Sequence, residues 1–186
     1  MYRLGSIILS LFLSGLLLSG CSSDSNKKSS AQAQAASGKE AGPQKLLEKA
    51  TFTDLQGNKV GIQRFKGKLV IVDFWETWCG PCLQTFPTLQ DLVEEYPNRF
   101  AVLAVTPGFM DKPEDTRNFV RKNDYDFTFV RDTDSLAADL GIQSIPYKVF
   151  IGPDSNYIRT QIGSRGPEKD YDEIRSLIKE HTKADI

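Results

Sequence analysis

Hydrophobic and polar positions divide the chain into three unlike stretches. After a short basic start, Met1–Arg3, comes an uncharged run from Leu4 to Gly20, rich in Leu and Ile. As a helix rising about 1.5 Å per residue it falls short of a bilayer core of ~30 Å. Its length and basic flank predict a secretory signal over residues 1–20. Ser22 to Gly42 is mostly Ser, Ala, Gln, Lys and Gly, with no aromatic or β-branched residue. Such a segment buries too little apolar area to offset its ordering entropy, so residues 21–44 are expected to be a flexible tether. Regular patterning begins after it, and the folded domain is expected over residues 45–183.

Within that domain, Ala50–Leu55 and Val60–Ile62 flank Gly57-Asn58 and read as a β-hairpin. Leu69–Trp75 is apolar except for Asp73 and is β-branched or aromatic at most positions, which describes a strand buried on both faces. Pro81 opens a helix to about Tyr96, with Leu83, Phe86, Leu89, Leu92 and Val93 as its core stripe. Pro87 inside it predicts a kink rather than a stop. Further strands are expected at Phe100–Val105, Phe127–Val130, Tyr147–Ile151 and Tyr157–Ile162, the last two as a hairpin. Helices are expected at Pro113–Lys122, Leu136–Leu140 and Tyr171–Glu180. Strands alternating with helices, and closing on a hairpin, give an α/β fold with a mixed central sheet and helices on both faces.

Composition narrows the function. Charged residues make up 25% of the chain and hydrophobic ones 40%, ordinary for a globular protein. A formal net charge of −1 offers no electrostatic case for nucleic acid. The single histidine, His181, lies near the C-terminus, which argues against histidine triads and histidine metal sites. Three cysteines are too few for a disulfide scaffold, and an odd count needs explaining.

Cys79-Gly80-Pro81-Cys82 stands where a strand gives way to a helix. Residues three apart share a helix face, so the two sulfurs can bond. Gly80 lets the backbone turn, and Pro81 is preset for the first helical turn. Cys79 would sit at the positive helix end, which favours its thiolate, the attacking species in disulfide exchange. Cys82, one turn further in, would be less exposed and would attack second. A zinc site would need a second cysteine pair or histidine, and haem attachment a histidine in place of Leu83. A purely structural disulfide closing so short a loop would add little stability. Asp73, in the middle of an apolar strand, is expected to be buried. Its pKa would then be raised, making it a proton acceptor or donor for Cys82.

Val72-Asp73-Phe74-Trp75 followed by Trp78-Cys79-Gly80-Pro81-Cys82 resembles the thioredoxin active site. The folded part as a whole, with its early hairpin and long middle section, is similar to the membrane-tethered TlpA/ResA group. The resemblance implies a thioredoxin-like fold with an N-terminal hairpin extension. It also implies thiol–disulfide oxidoreductase activity, with Cys79 as nucleophile and Cys82 as resolving cysteine. No cofactor beyond that disulfide, and no metal, is implied. Gly141-Ile142-Gln143-Ser144-Ile145-Pro146 matches the second thioredoxin signature. It implies a cis Pro146 and a substrate segment pairing with Ile145, beside Trp78. Trp75 and Trp78 together form a stacking surface in the family. Thioredoxins carry aspartate at the Asp73 position, whereas many of the tethered group carry asparagine. Two residues depart from the pattern. Glu76 replaces a small residue and could hydrogen-bond near the active site, but is expected rather to face solvent, slightly raising the Cys79 pKa. Tyr147 replaces a common threonine and is expected to narrow or extend the substrate groove.

Leu18-Ser19-Gly20-Cys21 resembles a bacterial lipobox, which implies lipidation of Cys21 and an extracytoplasmic, lipid-anchored protein. The Gly-Pro pair resembles that of thioredoxin, near −270 mV, and implies a reductant at about −220 to −300 mV. Expected partners are oxidised protein thiols, apocytochrome c among them, and a membrane thiol oxidoreductase that recharges the pair; a monomer is expected. Two other functions fit less well. A peroxiredoxin-like peroxidase needs a proline before its reactive cysteine, and Asp73–Trp78 has none. A copper-binding module of this fold needs C-x-x-x-C with a distant histidine.

Overall fold

In the computed structural model the described residues are 42–182. The signal segment and Cys21 lie outside them. Seven strands form one sheet in the order β2-β1-β5-β4-β3-β6-β7. The hairpin of β1 (Thr51–Asp54) and β2 (Lys59–Gly61) turns through Gly57 at φ +91°, with the Asp54 carboxylate accepting from the N–H groups of Gln56 and Asn58. A short 3-10 turn, Ile62–Phe65, leads to β3 (Leu69–Phe74) at the sheet centre. β3 pairs in parallel with β4 (Phe100–Thr106) and antiparallel with β6 (Tyr147–Ile151). β5 (Thr128–Arg131) joins β4 to the hairpin, and β7 (Tyr157–Ile162) closes the other edge.

Strand alternation sorts the core into two layers. Leu69, Ile71 and Trp75 face one side with Val102, Ala104 and Phe150. There they meet α2 (Gly80–Glu95) through Phe86, Leu89 and Leu92, and α5 (Pro167–His181) through Ile174 and Ile178. Phe119 of α3 (Pro113–Lys122) packs on this layer too. Val70, Val72 and Phe74 face the other side with Leu103, Val105, Val149 and Ile151. That layer is covered by Leu47 of α1 (Gly42–Lys49) and by Leu136 and Ala137 of α4 (Leu136–Asp139). All six residues of β3 are buried, as a strand covered on both faces requires.

Some boundaries differ from the sequence reading. Helix α1 begins at Gly42, inside the stretch expected to be tether. It is tied down by Gln44, whose Oε1 accepts the Tyr157 N–H at 2.6 Å and whose Nε2 donates to the Ser155 carbonyl. Helix α2, as expected, does not stop at Pro87 and continues to Glu95. Helix α5 starts at Pro167 rather than Tyr171, because proline suits a first helical turn and Asp170 is drawn into the core.

Candidate active site

Three connections leave the same end of the sheet. Since β3 and β4 are parallel, Trp75–Cys79 and the loop after Thr106 emerge side by side. Since β6 runs against β3 with Tyr147 opposite Phe74, the segment ending at Pro146 enters there as well. The Ile145–Pro146 bond is cis. Ile145 is half-buried and Pro146 buried.

Cys79 caps α2 and is disulfide-bonded to Cys82, with their Cα atoms 5.3 Å apart. The Cys82 N–H donates to Cys79 Sγ at 3.2 Å, the backbone contact that stabilises charge on that sulfur. Cys79 is 2% exposed and Cys82 fully buried, so the difference in access is narrow. Gly80 and Pro81 are exposed at the helix start. The two tryptophans part company. Trp75 is buried against Phe86 and Phe119, with ring centroids 4.9 and 4.8 Å away, whereas Trp78 is half exposed. Only Trp78 can meet a substrate.

Asp73 is fully buried. Alternation along β3 places it on the face of Ile71 and Trp75, the face covered by α2 and therefore by Cys82. It has a partner that sequence reasoning missed. Lys148, opposite it on β6, is equally buried and donates to both carboxylate oxygens at 3.0 and 3.1 Å. Burial pushes the Asp73 carboxyl up, the Lys148 ammonium opposes that shift, and buried Asp170 adds to it. Asp170 in turn accepts from Gln161 Nε2, Ser164 Oγ and the Arg165 N–H. Gln161 pairs with Lys148 across the sheet, so a continuous polar seam runs from β3 to the start of α5. The available signal for Lys148 was a lone cation inside an apolar strand, the counterpart of the lone acid in β3.

Two expectations are corrected. Glu76 does not face solvent. It is fully buried, and its carboxylate accepts N–H donors from Trp78 and from the loop at residues 109–111. Tyr147 does not shape a groove at the disulfide. Its side chain lies on the face opposite Lys148, edge-on to Phe74 at 6.1 Å, and lines a cavity with Gly42, Pro43 and Leu46.

The AhpC/TSA family model matches residues 43–159, which include β3, the cysteine pair and the cis-proline segment. The thioredoxin-like protein YneN of Bacillus subtilis (strain 168) is 36% identical over 116 residues, covering 61% of this chain and 68% of that protein. The thiol-disulfide oxidoreductase ResA of Bacillus thuringiensis subsp. konkukian (strain 97-27) is 29% identical over 119 residues, covering 63% and 68%. Among solved structures, the exposed lipoprotein thioredoxin of Streptococcus pneumoniae strain TIGR4 superposes with a TM-score of 0.59. It is 26% identical, covering 70% of this chain and 97% of that one. The chain belongs to the AhpC/TSA family and is a TlpA/ResA-like thiol–disulfide oxidoreductase with a thioredoxin-like fold.

Proposed function

We propose that this oxidoreductase works as a reductant of protein disulfides outside the cytoplasm, held to a membrane by a lipid on Cys21. The carrying observation is the Cys79–Cys82 pair at the start of α2, with the buried Asp73 on the sheet face beneath that helix. The lipobox-like Leu18-Ser19-Gly20-Cys21 supports the address, and the pneumococcal relative is itself described as an exposed lipoprotein. The domain arrangement proposed is a signal over residues 1–20, a tether from Cys21, and the thioredoxin-like domain.

In the proposed cycle the Cys79 thiolate attacks a client disulfide. A mixed disulfide forms and one client thiolate departs. Asp73 takes the proton from Cys82, whose sulfur then attacks Cys79 Sγ. The client leaves with both thiols reduced, and Cys79–Cys82 is left oxidised. Ile145, Pro146 and Trp78 are the proposed substrate contacts. A membrane thiol oxidoreductase returns two electrons to the pair. The TlpA/ResA resemblance points to apocytochrome c, with its paired haem-attachment cysteines, as the first client class to try.

Insulin reduction with dithiothreitol, combined with a potential measurement, tests this reading. The wild type should accelerate precipitation, Cys79→Ser should not, and the potential should fall at about −220 to −300 mV. Equal rates for the two proteins, or a potential above about −160 mV, would overturn it. Cys82→Ala should hold clients as mixed disulfides on Cys79 for identification.

A further inference from the structure

Among the described residues the large hydrophobic side chains left exposed are Trp78 (51%), Phe109 (46%), Met110 (71%) and Ile162 (67%). All four lie at the sheet end that carries the disulfide. Trp78 precedes Cys79, and Phe109 and Met110 follow β4. Ile162 ends β7, paired with Tyr147, while the next N–H, from Gly163, donates to the Pro146 carbonyl. Single exposed hydrophobics are common, but four gathered at one pole beside a reactive group mark a contact surface.

Glu76 accounts for the arrangement of three of them. Its Oε1 accepts the Phe109 N–H at 2.6 Å. Its Oε2 accepts the Met110 and Asp111 N–H groups at 2.9 and 3.2 Å, and the Trp78 indole N–H at 2.6 Å. Asp111 reciprocates, accepting the Thr77 N–H at 2.7 Å and the Thr77 hydroxyl at 2.8 Å. A buried carboxylate without partners would be costly; here four donors satisfy it. The result is a loop fastened by its main chain to the three residues before Cys79, with the side chains of Phe109 and Met110 outside.

We propose that Glu76 is a positioning residue that sets Trp78, Phe109 and Met110 as an apolar collar beside Cys79. The collar, together with Ile162, seats an extended client segment bearing an apolar side chain next to its disulfide cysteine. The span supports that occupant. From β4 through β3 and β6 to β7 is three strand spacings, about 14 Å, the length of roughly four extended residues. The surface is also continuous with the disulfide that the client must reach. This inference rests on the disulfide-exchange reading above.

The test compares reduction of two synthetic peptides with the same C-x-x-C disulfide, one flanked by Leu and Phe, the other by Ser. Hydroxyethyl disulfide serves as a small probe. Wild type should favour the apolar peptide about tenfold in kcat/KM, through KM. The ratio should fall to about one in Phe109→Ser/Met110→Ser and in Glu76→Gln. In Glu76→Gln the amides of 109–111 should also exchange at least about tenfold faster while those of β3 do not. If Glu76→Gln fails to fold, the double variant at exposed positions decides. A preserved ratio in the variants overturns the collar. So does a dimer that the double variant dissolves without changing the ratio, which would assign the surface to a second copy. Wild type that reduces both peptides equally overturns the collar alone. Failure on hydroxyethyl disulfide would instead overturn the exchange reading.

Discussion

Asp73 and Lys148 put two opposite charges where water does not reach. A buried pair gives little net stability, but breaking it by removing one partner costs about 3–5 kcal/mol. The pH dependence follows from the direction of the Asp73 shift. Folded Asp73 holds its proton more tightly than the ordinary carboxyl near 3.8, chiefly through burial. The folded chain therefore binds more protons than the unfolded one above that value. The group's contribution to stability is full below it and lost as pH rises through the folded value. Lys148→Met removes what opposes the shift, so its stability deficit should grow with pH. Urea unfolding should show a deficit near 3 kcal/mol at pH 8 and a clearly smaller one at pH 5. Equal deficits would mean that the pair does not govern the proton on Asp73. Asp73 could be singled out from sequence because a lone acid in an apolar strand stands out. Lys148 offered the same signal, hidden by its place beside an unusual Tyr147. Glu76 stood out only as an acid in place of a small residue; its partners could not be read, since most are main-chain N–H groups, which look alike in every sequence.

At the scale of elements, the strands and the long helices were legible because each carries a clean two- or 3.6-residue period. Helix α1 was not. Its sequence, Gly42–Lys49, is short and polar, and what holds it is distant: Gln44 on β7 and Leu47 in the layer beneath β3. A helix of that length forms through tertiary contacts rather than propensity. Leu47→Ala should accordingly lower unfolding stability by about 2–3 kcal/mol, read as a lower urea midpoint with unchanged slope. A loss under about 0.5 kcal/mol would show α1 to be loosely docked. The N-terminal shift of α5 has a related cause. Asp170 joins the polar seam from inside the first turn, through bonds to Gln161 and the Arg165 N–H just upstream that a hydrophobic period does not register.

For the folded part as a whole, β3 is the shared wall of both core layers, and its six residues are buried on both sides. Neither layer can open without exposing the other's strand. The full chain should unfold in one transition, with tryptophan fluorescence and far-ultraviolet circular dichroism coinciding; two separated midpoints would contradict this. The order of the strands could be anticipated only as a mixed sheet. The meeting of three connections and the end of β7 at one pole follows from which neighbours run parallel, and pairing is set by contacts far apart in sequence.

The fastening of the 109–111 loop has a consequence for how this protein can diversify. Glu76 grips amide groups, which every residue except proline supplies, and ignores what projects from them. The framework of the mouth and its texture are thus inherited separately. Positions 109 and 110 form an interchangeable tip, open to repeated substitution while the cysteines, the acid beneath them and the loop's path stay unchanged.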